Sequence, residues 1–105
     1  MRTAKRSWMA TRNDRERWVE VFSALASEPR LEIVELLARG EVQCQEILRH
    51  LHLSQPAVSY HLGKLERAGV LQKERRGSRH CYRLSETLRS LLECLTKEDE
   101  SWTIQ

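Results

Sequence analysis

The sequence has no apolar run approaching the length of a membrane span and no stretch like the core of a secretory signal. Membrane-spanning and exported proteins are thereby set aside, and a cytoplasmic location is expected. Cysteine is scarce: Cys44, Cys81 and Cys94 form an odd set without a paired framework. That excludes a disulfide-stapled scaffold and fits a reducing compartment. Repeats and low-complexity tracts are missing too. Catalytic patterns are equally sparse. No Ser/His/Asp or Cys/His arrangement stands out, and His80 and Cys81, adjacent on a predicted strand, point to opposite faces. His50 and His52 are two apart near a helix end and do not face each other. No enzyme and no cofactor are expected.

What is present is a chain of 105 residues, the size of one domain, with 31% charged residues and a net charge of +3. A single core of this size is marginally stable, so burial against a second copy is expected. The charge is unevenly placed. Residues 1–12 carry Arg2, Lys5, Arg6 and Arg12 without an acid. Residues 70–83 carry Lys73, Arg75, Arg76, Arg79 and Arg83 against Glu74. Acids gather instead at Glu28, Glu32, Glu35, Glu41 and Glu46. Clustered arginines apart from an acidic helix face imply a side that meets a polyanion.

Along the chain, residues 1–12 read as a flexible basic arm, residues 13–97 as the folded domain, and residues 98–105 as a frayed tail containing Trp102 and Ile104. Asn13 and Glu16 have capping-box spacing, and a first helix to about residue 26 places Trp18, Phe22 and Leu25 on one face. Ser27-Glu28-Pro29 opens a second helix with Leu31, Val34 and Leu37 inward, Ile33 and Leu36 beside them, and a stop at Gly40. A third helix over residues 43–51 turns Cys44, Ile47, Leu48 and Leu51 inward. After Gly69 the period changes from 3.6 to 2, and residues 70–75 and 79–84 read as a hairpin with a basic tip. Ser85 caps a last helix with Leu88, Leu91, Leu92 and Leu95 on one face.

The most informative stretch is Ser54 to Leu71. Ser54 suits an N-cap and Pro56 the first turn. Val58, Leu62 and Leu65 fall at i, i+4 and i+7, and Gly69 suits the stop. Gln55, Ser59, Tyr60, Gly63 and Arg67 occupy the other face. Such a helix, apolar on one side and amide and hydroxyl on the other, can read base edges in a major groove. The element order is helix, helix, helix–turn–helix, hairpin, helix. This mainly α (α+β) order is a winged helix–turn–helix, with the hairpin as wing. Gln55, Ser59 and Tyr60 are the expected base readers. Ser54, His61 and Lys64, with Lys73, Arg75, Arg76 and Arg79 of the wing, are expected on phosphates.

The run Ala24-Leu25-Ala26-Ser27-Glu28-Pro29-Arg30-Leu31-Glu32-Ile33 resembles the opening of the ArsR/SmtB family of bacterial transcriptional repressors. Ser54-Gln55-Pro56-Ala57-Val58-Ser59-Tyr60-His61-Leu62 is similar to that family's recognition helix. Ala68-Gly69-Val70-Leu71, and Arg76-Gly77 through Tyr82-Arg83-Leu84, resemble its wing. The resemblance covers residues 18–95. It implies a homodimer on a palindromic operator in double-stranded DNA, with first and last helices as the interface. Trp18, Phe22, Leu25, Leu88, Leu91, Leu92 and Leu95 supply the apolar surface for it.

Many members of the family sense metals, and here the chain departs. Gln43-Cys44-Gln45 stands where one family site has a Cys-x-Cys, and residues 86–97 contain no histidine. No metal site is expected, and the effector stays unassigned. Cys44 is expected in the core and Cys94 at the edge of the interface. Cys81, between Arg79 and Arg83, has neighbours that could lower its pKa, but an unreactive wing cysteine is the expectation. The alternatives are a thiol sensor of As(III), oxidant or persulfide through Cys81, Cys94 or Cys44, and a winged-helix module for protein–protein contact.

Overall fold

A computed structural model describes residues 11–102, with side chains through residue 94. Helices α1 (Arg12–Leu25) and α2 (Glu28–Ala38) lead to a short strand β1 (Val42–Gln43). Then come α3 (Cys44–Leu51), α4 (Gln55–Arg67), strands β2 (Leu71–Arg76) and β3 (Arg79–Leu84), and α5 (Glu86–Trp102). The sheet is antiparallel in the order β1-β3-β2. The expected winged helix–turn–helix is therefore the fold.

Each helix start has a local cause. Thr11 Oγ1 accepts from Asp14 N–H at 3.1 Å, and Asp14 Oδ2 accepts from Thr11 N–H at 3.3 Å. This capping box lies two residues before the expected Asn13/Glu16 pair. The earlier start satisfies the Thr11 and Asp14 N–H groups by the same device and adds helical hydrogen bonds, such as Arg15 N–H to the Thr11 carbonyl. Ser27, Ser54 and Ser85 cap the starts of α2, α4 and α5 with their hydroxyls, accepting from Arg30, Ala57 and Leu88. Pro29 and Pro56 sit in first turns, where a missing N–H leaves nothing unsatisfied.

The stop of α4 is a Schellman motif. Val70 N–H donates to the Leu65 carbonyl at 2.9 Å and Gly69 N–H to the Glu66 carbonyl at 3.0 Å. Gly69 has φ of +79°, which glycine alone adopts at little cost. Leu65 and Val70, both buried, close the motif with the apolar contact that usually accompanies it. The hairpin loop is Gly77-Ser78, with Gly77 at φ +66°, the type II′ pattern.

The core is Ile33, Val34 and Leu37 of α2, Ile47 and Leu51 of α3, Val58, Leu62 and Leu65 of α4, and Val70, Leu71, Tyr82, Leu84 and Leu88 around them. Helix α2 lies at its centre and touches α1, α3, α4 and β3. Its inward stripe differs from expectation. Ile33, Val34 and Leu37 are buried, whereas Leu31 is 50% exposed. Five apolar residues in seven positions fit two overlapping stripes, and packing selects the one that begins at Arg30.

Two further expectations change. Strand β1 pairs with β3 through Val42–Tyr82 and Gln43–Cys81, turning the expected hairpin into a three-stranded sheet. Helix α5 continues to Trp102, through part of the expected tail. Residues 1–10 of the basic arm, the side chains of Leu95 and Trp102, and residues 103–105 lie outside the described residues.

Candidate nucleic-acid interface

Helix α4 buries one face and exposes the other. Val58, Leu62 and Leu65 are buried, which at about 1.5–3 kcal/mol per large apolar side chain anchors the helix. Gln55, Ser59, Tyr60, Lys64 and Arg67 are exposed. Gln55 shares one cleft with Gln43, Cys44, Gln45 and Leu48 of β1 and α3 and with Ser78, Arg79 and His80 of the wing. The start of the candidate recognition helix and the wing tip thus line the same concave surface.

The expected phosphate contacts divide into free and engaged groups. Ser54 Oγ accepts its cap bond from Ala57 N–H at 3.2 Å, which leaves the hydroxyl proton to be donated. Lys64 Nζ lies 5.9 Å from the centre of the Tyr60 ring, a cation–π contact that orders two exposed side chains. Gly63 leaves no bare backbone, since a Cβ there would meet Arg67 Nη1 at 3.3 Å. His61 is half-buried, its ring edge-on to Tyr60 at 5.5 Å. Arg30 Nη1 lies 3.1 Å from His61 Nδ1. Arginine has only donors, so Nδ1 must accept and the ring proton sits on Nε2. Burial, then the Arg30 charge, lowers the His61 pKa and favours this neutral form.

Arg30, part of the run that resembles the family's opening, has a role that its sequence neighbours do not announce. Its Nε donates to the Ala24 carbonyl at 2.6 Å, so one guanidinium joins the end of α1, the start of α2 and the middle of α4. A signal was present. Arg30, Ile33, Val34 and Leu37 fall at i, i+3, i+4 and i+7, which puts Arg30 on the buried face.

The two faces of the wing carry different balances. Alternation puts Lys73, Arg75 and His80 on the face shared with Leu71, Tyr82 and Leu84, and that face has no acid on β2 or β3. Arg75 Nε donates to the Gly77 carbonyl at 3.1 Å. The other face holds Gln72, Glu74 and Arg76 of β2 opposite Arg83, Cys81 and Arg79 of β3. There Arg76 Nη2 lies 3.3 Å from both Glu41 and Glu74, and Arg83 Nη1 lies 4.0 Å from Glu74. Among the described residues, Lys73, Arg75 and Arg79 have no ion pair.

The arginines beside Cys81 in sequence do not lower its pKa. Its thiol is buried, and burial followed by a hydrogen bond to Glu41 raises its pKa. Glu41 reaches it from the loop before β1, a neighbour that the flanking arginines in sequence do not reveal. Cys44 is half-buried against the core and Cys94 is exposed. Among the described residues, no group of three or more His, Cys, Asp or Glu is placed to hold a metal ion.

The expected apolar interface is only partly on the surface. Phe22 is 46% and Val19 63% exposed on α1, and Trp18 packs its ring 5.5 Å from that of Phe22. Leu25, Leu91 and Leu92 are half-buried against the core. Leu88, expected on this face, is 2% exposed and belongs to the core of its own chain. It sits in the first turn of α5, where the helix meets the sheet. No described helix is long and apolar enough to cross a membrane.

Comparison with known proteins adds a family. The model for bacterial regulatory proteins of the arsR family matches residues 27–73. The transcriptional repressor SdpR of Bacillus subtilis is 34% identical over 68 residues, 65% of this chain and 76% of SdpR. The solved structure of HlyU from Vibrio cholerae superposes with a TM-score of 0.74 at 30% identity, over 83% of this chain and 96% of HlyU. A homodimeric winged helix–turn–helix DNA-binding domain from Mycobacterium bovis superposes at 0.75 with 24% identity, over 98% of this chain and 94% of that domain, and speaks to the fold alone. The matched stretch is 76% of the length of SdpR but 50% of that of the repressor SmtB of Mycobacterium tuberculosis, which is 40% identical over 67 residues, 64% of this chain.

Proposed function

Because the chain belongs to the ArsR family of bacterial regulatory proteins, we propose that this DNA-binding transcriptional regulator acts as a cytoplasmic repressor, a homodimer on a palindromic operator. Helix α4 enters the major groove and Gln55, Ser59 and Tyr60 read base edges there. His61, with its proton on Nε2, and Lys64 hold the helix against phosphates. Lys73, Arg75 and Arg79 hold the wing on the backbone. The carrying observation is that exposed Gln55 shares a cleft with Ser78, Arg79 and His80 of the wing.

The dimer rests on the exposed Val19 and Phe22 of α1. Large apolar side chains grouped on one helix of so small a domain suit burial against a second copy. A role without enzymatic chemistry goes with this reading.

The test is selection of bound fragments from random duplex DNA, followed by affinity measurements over a range of salt. Enrichment of an inverted repeat, with affinity falling steeply as salt rises, supports the reading. Binding without sequence preference sinks it and leaves a protein-contact module.

A further inference from the structure

The outer face of the wing holds an arrangement that DNA contact does not explain. Arg76 and Arg79 lie directly opposite each other at the hairpin end, a like-charge pair that weakens the ladder. Two acids offset it. Glu74 comes from the same strand as Arg76, but Glu41 comes from the loop between α2 and β1, 35 residues away in sequence. One guanidinium therefore links the wing to the body of the domain. On the same face of the sheet lies Cys81, 7% exposed and flanked in register by Gln43 and Glu74. Glu41, Arg76, Arg79 and Cys81 line one cavity beside α3.

We infer that Arg76 is a positioning residue: it ties the wing to the body through Glu41 and closes over Cys81, while Lys73, Arg75 and Arg79 meet the DNA backbone. This rests on the functional reading above. The physical contrast is simple. A phosphate-bound arginine releases a counterion, so its loss lowers the salt slope by about one. An arginine already neutralised by two carboxylates releases none. Its loss instead leaves Glu41 and Glu74 facing each other across Cys81 and loosens the wing.

Opposite signs separate the alternatives. Salt-dependent affinity for a duplex recovered by selection is measured for the full chain and for Arg76→Gln, Glu41→Gln and Arg75→Gln. Arg76→Gln and Glu41→Gln each weaken binding by about two- to fivefold with an unchanged salt slope, the range expected of an exposed ion pair. Arg75→Gln lowers the slope by about one. If Arg76→Gln lowers the slope and Glu41→Gln tightens binding, Arg76 is a phosphate contact and the inference is overturned. A second readout needs no DNA. In a Cys44→Ser/Cys94→Ser background, both tie variants speed labelling of Cys81 by a thiol reagent about threefold or more, through easier local opening. Unchanged labelling removes the tie. If the wild-type chain prefers no duplex, the functional reading and the DNA role of Arg76 fall together, while labelling still reports whether the tie exists.

Discussion

Arg30 on α2 and His61 on α4 meet at 3.1 Å, guanidinium Nη1 to imidazole Nδ1. The contact fixes the histidine tautomer and connects the candidate recognition helix to the helix at the centre of the core. Its consequence for pH is definite in sign. The folded-state pKa of His61 lies below 6.5, through burial first and the Arg30 charge second. Below 6.5 the unfolded chain takes up a proton that the folded chain resists. The stability from this site is therefore fully present above that value and declines as pH falls through the folded pKa. Urea unfolding from about pH 7.5 down to pH 5 should show His61→Gln losing less stability on acidification than the wild type. Parallel losses contradict it.

Arg30→Ala removes donors to His61 and to the Ala24 carbonyl. The expected cost is about 1–3 kcal/mol in chemical denaturation, because a buried carbonyl and a half-buried imidazole lose a charged donor. A cost near zero would mean that water replaces the guanidinium.

Phe22→Asp places a charge on the exposed apolar face of α1. Sedimentation should show a shift from dimer toward monomer at micromolar concentration, while circular dichroism keeps its helical signal. A variant that stays dimeric, with its helices intact, moves the interface away from α1.

Leu65→Ala empties the contact between α4 and the start of β2. Loss of a fully buried leucine is expected to cost about 2–5 kcal/mol, a large part of the stability of a domain this small. Equilibrium unfolding measures it, and a cost under about 1 kcal/mol, outside the range for such sites, contradicts the packing described.

Helix α4 was legible in the sequence because its signals are local. The cap at Ser54, Pro56, the stripe of Val58, Leu62 and Leu65, and the stop at Gly69 fall within one short window, and each has a physical cause. The wing was legible for the same reason, through its change of period and its glycine turn. What escaped is what distance decides. Strand β1 has two residues, too few for a period, and exists because β3 offers an edge. Leu31 lost its inward place to Ile33 because the face of α2 that carries Arg30, Ile33, Val34 and Leu37 is the one turned to the core. Cys81 has arginines beside it along the chain, but its thiol meets Glu41 from a separate loop. The residues of the candidate interface could thus be named from sequence, but which wing cations are free and which are paired could not.

In the proposed complex Gln55, Ser59 and Tyr60 face bases while the wing holds phosphates. Methylation interference on a selected operator, run with wild type and with Gln55→Ala, tests it most directly. Major-groove interference is expected in two half-sites about 10–10.5 base pairs or a multiple apart. One interfering position is expected to disappear in Gln55→Ala, at a cost of about 1–3 kcal/mol. Interference that is unchanged by the substitution, or no major-groove interference at all, would contradict it.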